Sequence, residues 1–152
     1  MNRWTRNGLL ALSTVATVYG MIYADVVLRA RSAYLEGERY WRWSEHPEER
    51  QKYLDDQLVG EQWEVLNRLK KGKLSKEEYD REVMLLQFGH DQALQESTLK
   101  YAYTWYQTAV ELFSPPDSQW VRLSRQKMPI AKERWIEELK AKHIPFESYM
   151  ID

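Results

Sequence analysis

The 152-residue sequence has no cysteine and only three histidines. Without cysteine, a disulfide scaffold, a thiol nucleophile and cysteine-ligated zinc or iron–sulfur sites are excluded. Lysine plus arginine number 22 against 23 acids, so the basic excess typical of nucleic-acid-binding proteins is missing. The six glycines are scattered, and they form neither a phosphate-binding loop nor a nucleophile elbow. We therefore expect no nucleic-acid partner, no small-molecule substrate and no cofactor.

The N-terminal region combines basic ends with a long uncharged run. No charged residue occurs from Gly8 to Ala24, and a helix of that length spans roughly 26 Å, close to the ~30 Å of a bilayer core. Val26, Val27 and Leu28 extend the run if Asp25 lies at the interface. Small residues recur along it, as they do where transmembrane helices pack closely. The sequence predicts a membrane anchor at 1–31, with a single span at about 8–28.

Two other interpretations of this run stay open. It has the length of a cleaved signal peptide, and Ile22-Tyr23-Ala24 is an acceptable cleavage site. It could also be a buried core helix. For a true span, four arginines follow it closely and two precede it, so the positive-inside rule places the body on the cytoplasmic or matrix side. The two basic groups are Arg29, Arg31, Arg39 and Arg42, against Arg3 and Arg6.

Helical start and stop signals divide the remaining chain, and strand-like alternation is absent. We predict an all-α protein in which the transmembrane helix is followed by an extended helical body (32–152, a soluble domain) of long and short amphipathic helices. The first helix should end near Ser44. The second should open at Ser44-Glu45-His46-Pro47 and end in Lys70-Lys71-Gly72. A third should begin at a capping box formed by Ser75 and Glu78 and continue to Phe113, with a bend near Gly89. After the Pro115-Pro116 break, we expect a short helix around Trp120 and a restart at Met128-Pro129.

The stretch from Leu66 to Leu86 resembles the short C-terminal oligomerisation (SHOCT) domain. That family's pattern has two leucines three apart, a glycine–aliphatic–serine turn, two acids, an aromatic residue and a closing leucine pair. The matching residues are Leu66, Leu69, Gly72, Leu74, Ser75, Glu77, Glu78, Tyr79, Leu85 and Leu86. This chain departs from the family by carrying the pattern in mid-chain and by continuing the second helix. The resemblance implies self-association or docking.

Candidate sites point to contacts with other proteins. The 13% aromatic content exceeds what one small core needs, and the C-terminal tail is apolar enough to dock on a partner. We predict these interaction residues: Trp41, Trp43, Leu66, Leu69, Tyr79, Tyr101, Trp105, Phe146 and Tyr149. No catalytic, cofactor-binding or metal-binding residue is predicted. His90 on its apolar stripe is interpreted as a satisfied core or interface histidine, because Leu86 and Leu94 occupy the positions where a second metal ligand would stand.

Three functions follow from these patterns. The first is a non-catalytic, single-pass accessory subunit of a membrane complex, similar in character to the supernumerary subunits of respiratory complexes and ATP synthases, in the inner mitochondrial or bacterial inner membrane. Its partners would be other subunits and the lipid bilayer. The second is a bacterial inner-membrane adaptor that self-associates through the SHOCT-like hairpin. The third, an enzyme, has only scattered carboxylates and His90 to support it.

Overall fold

A computed structural model describes the backbone of residues 3–147, with side chains described except at 3–6, 9 and 11. The described chain is all helical, with no strand, which confirms the predicted all-α class. Five helices follow one another: α1 (Arg3–Glu45), α2 (Pro47–Lys70), α3 (Lys76–Gln95), α4 (Thr98–Leu112) and α5 (Gln119–Ala141). They fall into two compact units. Unit 1 contains the chain up to Tyr40 and from Leu99 onward, and unit 2 runs from Trp41 to Thr98.

Local sequence signals mark the start and the end of α2 and the start of α3. Pro47 stands in the first turn of α2, where its missing N–H leaves no bond unmade. After α2, Gly72 adopts a φ of 65°, a left-handed conformation that costs glycine little. The Ser75 hydroxyl then accepts from the Glu78 N–H at 3.2 Å, and the Glu78 carboxylate accepts from the Ser75 N–H at 2.8 Å. The predicted capping box is confirmed.

The single long helix predicted from Ser75 to Phe113 is wrong. The chain breaks at Glu96, which is extended with a ψ of 146°, and helix resumes at Thr98 as α4. Ser97, a residue type favoured at a helix N-cap, directly precedes α4. Apolar residues such as Leu86 and Tyr101 continue at helical spacing on both sides of the break. Only two residues, Glu96 and Ser97, interrupt the helix, and neither is glycine or proline, so the periodicity alone did not reveal the break.

The restart predicted at Met128-Pro129 is also wrong, because Pro129 lies inside the continuous helix α5. Proline removes only one backbone donor from a helix, and a carbonyl left without that donor can bond to solvent where it is exposed. Pro129 itself lies on the exposed side of α5. Val121, Ser124 and Ala131 are fully buried on the other side, so packing holds the helix on both sides of the proline.

Small residues let α1 approach α4 closely in unit 1. Ala30, Ala33, Ala102 and Ala109 are buried. An added Cβ at Gly37 would meet the Tyr106 ring. Because both helices have small side chains at the contact, their backbones come near enough for a large ring to fill the remaining space. Unit 2 is built mainly from α2 and α3. A short turn at 71–75 joins them into a helical hairpin.

Candidate functional site

The first part of α1 exposes a continuous set of large apolar side chains. Their exposed fractions lie between 49% and 70%, so unit 1 leaves about half or more of each residue uncovered. They are Leu10, Leu12, Val15, Val18, Tyr19, Met21, Ile22 and Tyr23. We call this set the apolar run of α1. Exposed apolar patches of this extent mark surfaces that contact a partner or a membrane.

Two hydroxyls within the apolar run and the first charged group after it are already paired within the helix. The hydroxyls of Thr14 and Thr17 donate to the carbonyls of Leu10 and Ser13 at 2.9 and 2.8 Å. The first charged residue after the run, Asp25, pairs with Arg29 at 2.8 Å. Such local pairing lowers the cost of moving hydroxyl and charged groups into an apolar environment.

Among residues 3–147, no helix combines the length and the apolar character that crossing a bilayer requires. The span predicted at about 8–28 is therefore without support from the structure and remains a proposal.

A partly buried polar cluster joins α1, α4 and α5 in unit 1. The Tyr106 hydroxyl, on a fully buried ring, donates to Glu38 at 2.6 Å. Lys127 lies 3.1 Å from the same carboxylate. Burial, and then the hydrogen bond with Glu38, raise the pKa of Tyr106 far above its ordinary value. Burial and the charge of Glu38 also raise the pKa of Tyr34. Both phenols therefore stay protonated at neutral pH, and the cluster fixes three helices together.

Aromatic pairs surround this cluster and include predicted interaction residues. Tyr101 stacks on Tyr40, with ring centroids 5.1 Å apart. Trp105 is half-buried and lines a largely apolar groove with Leu28 and Phe113. The groove has a volume of about 290 Å³. Tyr101 and Trp105 thus contribute to packing inside unit 1, with part of each side chain at the surface.

The predicted residues of unit 2 lie mostly in the packing layer of its hairpin. Trp43 is 8% exposed and its ring lies 5.1 Å from that of Tyr53. The remaining predicted residues here are half-buried: Trp41, Leu66, Leu69 and Tyr79. Their exposure leaves only part of each side chain for a partner.

Ionic contacts hold α2 and α3 together. Arg68 makes two hydrogen bonds to Glu82, at 2.7 and 3.2 Å, the paired geometry that makes arginine–carboxylate contacts strong. Arg50 donates to the carbonyl of Ala93. Together these contacts fix the two helices at two well-separated levels of the hairpin.

His90 lies between two carboxylates in this hairpin. Its Nε2 is 2.8 Å from Asp55 of α2, and its Nδ1 is 3.1 Å from Asp91. Hydrogen bonds to Asp91 and then to Asp55 raise the pKa of His90 above 6.5. A cavity of about 240 Å³ adjoins it, lined mainly by aliphatic side chains such as Leu58 and Leu85. The arrangement favours a doubly bonded imidazolium that links two helices.

Some apolar side chains of the hairpin stay exposed. Five large apolar residues of α2 and α3 are between 59% and 71% exposed. They are Val59, Trp63, Met84, Leu85 and Phe88. We call them the exposed hairpin residues. Lys70 lies above the Trp63 ring at 5.1 Å, which shields one face of that indole.

Of the two interaction residues predicted near the C-terminus, the structure describes one. Phe146 is half-buried after the end of α5. Tyr149 lies outside the described residues. Within the part of the chain that the structure describes, no three histidine, aspartate or glutamate side chains come together as a metal site.

Sequence reasoning missed Glu38, Lys127 and Asp55. One signal was available for Glu38, since an acid four residues after Tyr34 follows the apolar stripe of α1 and so can face the same neighbour. Nothing in the local pattern of α5 marks Lys127 as its partner, because the contact joins residues 89 positions apart.

The chain was compared with family models, curated proteins and solved structures. None of them matches it. The resemblance of residues 66–86 to the SHOCT domain stays a prediction.

Proposed function

We propose that this protein is a non-catalytic, single-pass accessory subunit that helps to hold a multi-subunit membrane complex together. The observation that carries the proposal is the apolar run of α1, a helical stretch without charge whose large side chains are exposed. Water is an unfavourable solvent for so many apolar groups, at about 25 cal/mol for each Å² exposed. A covering environment is therefore needed in the functional state.

The angular spread of the run favours lipid over a single protein partner. Successive helical residues are about 100° apart, so Leu10, Leu12, Val15 and Val18 cover an arc of about 200°. A helix that docks on one protein surface has a narrower apolar stripe, whereas lipid contacts a helix on most sides. The rest of the circumference includes Ser13 and Gly20, small enough for a neighbouring helix to pack closely.

The remainder of unit 1 suits a bracing role. Helix α1 continues without a break from the apolar run to Glu45, and the Glu38 cluster fixes it to α4 and α5. A load on the anchor would therefore pass directly into the body instead of bending a linker. We propose that the partners are other subunits of the complex and the bilayer itself.

We propose an energy-transducing membrane, the inner mitochondrial or bacterial inner membrane, with a complex such as a respiratory enzyme or ATP synthase. The arginines after the run, Arg29 and Arg31 among them, favour the matrix or cytoplasmic side for the body under the positive-inside rule.

Native electrophoresis of gently solubilised membranes tests the accessory role. The full chain, tagged at its C-terminus, should migrate in a large particle, and mass spectrometry of that band should identify other membrane proteins at constant ratio to it. A folded, lone monomer would contradict the proposal. A particle containing only copies of this chain would instead favour the second candidate.

That second candidate is a membrane-anchored adaptor that self-associates through the SHOCT-like hairpin. The exposed hairpin residues favour it, because two copies could cover each other's Trp63 and Phe88. Trp63→Glu and Phe88→Glu should then dissociate the oligomer, whereas Leu35→Glu, at a 45% exposed position in unit 1, should not. Leu66→Asp with Leu69→Asp would also disrupt it, although both leucines help to pack the hairpin. Unchanged oligomer size in the first two variants would exclude this surface.

A further inference from the structure

A cluster of arginines surrounds the start of α5 in unit 1. Arg125 lies 3.0 Å from the Asp117 carboxylate, and Arg122 lies 3.8 Å from it. The Arg122 guanidinium also donates to the Asp117 carbonyl at 2.6 Å. Arg31 of α1 lies over the Trp120 ring, 5.7 Å from its centroid. Two arginines thus share the Asp117 carboxylate, and a third lies over the Trp120 indole three residues further along. These contacts bring three cations and one carboxylate to the start of α5.

This arginine cluster (Arg31, Arg122, Arg125) adjoins the end of the apolar run. Pro115 and Pro116, just before Asp117, line a cavity of about 200 Å³ together with Tyr19, Ile22, Tyr23 and Val26 of α1. The loop before the cluster therefore lies level with the last part of the run. Along α1, Arg31 is three residues past the end of the proposed span at Leu28, or roughly 5 Å. That distance lies within the headgroup layer on one side of a bilayer, which is about 5–7 Å deep.

The side chains in the cluster are accessible. Arg122, Arg125 and Asp117 expose 57%, 51% and 53% of their side chains. Each guanidinium has five donors in a planar fork, so its contact with Asp117 leaves donors for a phosphate group. Trp120 adds the amphipathic ring typical of the membrane interface.

We propose that the arginine cluster binds the phosphate of an anionic phospholipid whose acyl chains lie along the apolar run. This inference rests on the proposed membrane anchor. Two observations carry it: the local excess of positive charge, and the continuity of the cluster with the apolar surface at the level of Pro115 and Pro116. A zwitterionic lipid is bound less well, because its ammonium group meets the same three cations.

Native mass spectrometry of the full chain in detergent tests this site. Phosphatidylglycerol and phosphatidylcholine with identical acyl chains are titrated separately, and retained lipid is counted. The wild type should retain phosphatidylglycerol preferentially. A basic residue near an anionic membrane surface contributes about fivefold in affinity, so Arg122→Gln with Arg125→Gln should lose about 25-fold. Arg31→Gln alone should lose about fivefold.

The matched control is Lys140→Gln with Lys142→Gln, which removes the same charge from the other end of α5. These lysines lie 18 and 17 residues after Arg122 and Arg125, roughly 26 Å along the helix, well beyond the ~10 Å screening length at 0.1 M salt. The control should keep the preference of the wild type. An equal loss in the control would attribute the preference to net charge and overturn the site.

The remaining outcomes separate this inference from the proposed function. Equal retention of both lipids by the wild type would overturn the lipid site and leave the membrane anchor intact. Displacement of phosphatidylglycerol by millimolar inorganic phosphate would show a site for free phosphate and overturn the lipid assignment. A chain that stays folded and monodisperse without detergent, and does not float with vesicles of either lipid, would overturn the anchor itself.

Discussion

Replacing Gly37 with alanine is the sharpest test of the packing between α1 and α4. An alanine Cβ there would stand 2.5 Å from Cε1 and 2.7 Å from Cδ1 of Tyr106, whereas carbon atoms pack best about 3.5–4.0 Å apart. The ring has little room to retreat, because Tyr106 is fully buried. Its hydroxyl is also held by Glu38 at 2.6 Å.

The expected cost follows from three opposing effects. Overpacking a core costs about 1–3 kcal/mol, and weakening a hydrogen bond to a charged group adds up to about 1.5–3 kcal/mol. Alanine gains about 1 kcal/mol over glycine as a helix former. Together these effects allow a loss between about 0 and 5 kcal/mol, and we expect Gly37→Ala to lower the stability of unit 1 by the middle part of that range, about 1–3 kcal/mol. Gly60→Ala provides the matched control, since nothing lies within 4 Å of its added Cβ, and it should stabilise α2 by about 0.5–1 kcal/mol.

Hydrogen–deuterium exchange read by mass spectrometry measures each unit separately, which a global melting curve does not. Gly37→Ala should speed the exchange of α4 amides by about 5- to 150-fold, the rate equivalent of that free-energy loss. Gly60→Ala should slow exchange in α2 and leave α4 unchanged. If Gly37→Ala left α4 exchange unchanged or slower, the close approach of α1 and α4 would be refuted.

Three further substitutions test the buried and capping contacts. Tyr106→Phe removes the hydrogen bond to Glu38 and should destabilise unit 1 by about 1–3 kcal/mol, measured by the same exchange; no change would mean that the bond adds nothing. The raised pKa of His90 means that its bonds stabilise fully below about pH 6.5 and lose that effect as pH rises through the raised value. The difference in urea midpoint between wild type and His90→Gln should shrink from pH 6 to pH 9, and a constant difference would contradict the charged-histidine interpretation. Glu78→Gln tests the reciprocal cap through its charge. The backbone N–H of Ser75, and then its side chain, lower the pKa of Glu78, so the stability of wild type relative to Glu78→Gln should decrease as pH falls through the carboxyl range. A difference that does not change with pH would contradict a charged cap.

The fold could be predicted where a helix boundary depends on neighbouring residues. Pro47, Gly72 and Ser75 each act on their own turn of backbone, through a missing donor, a left-handed φ or a hydroxyl acceptor, and each boundary lies where those chemistries put it. The break at Glu96 has neither glycine nor proline and only Ser97 as a local signal, and Pro129 has a local cause that tertiary packing overrides. The packing that holds α5 through its proline joins distant parts of the chain and is not visible in the local pattern.

The candidate site was predictable only in part for the same reason. The uncharged run and its flanking arginines are visible in the order of residues alone. The partners of Glu38 and His90 are not, because Lys127 and Asp55 reach them from other helices at long separation. Aromatic residues such as Trp43 were predicted to contact partners and lie mainly inside their own unit, since composition counts aromatic rings without showing which face they cover.

The fraction of the chain that stays with membranes after an alkaline carbonate wash tests the central claim most directly. Val15 and Val59 are 67% and 66% exposed, so in water Val15→Arg and Val59→Arg are equivalent changes. Within lipid, arginine near a helix centre costs about 2.5–3.5 kcal/mol, roughly 70- to 400-fold in the insertion equilibrium. The account predicts that wild type and Val59→Arg stay in the pellet and that Val15→Arg is released. Release of the intact wild type, or equal retention of all three, would contradict it.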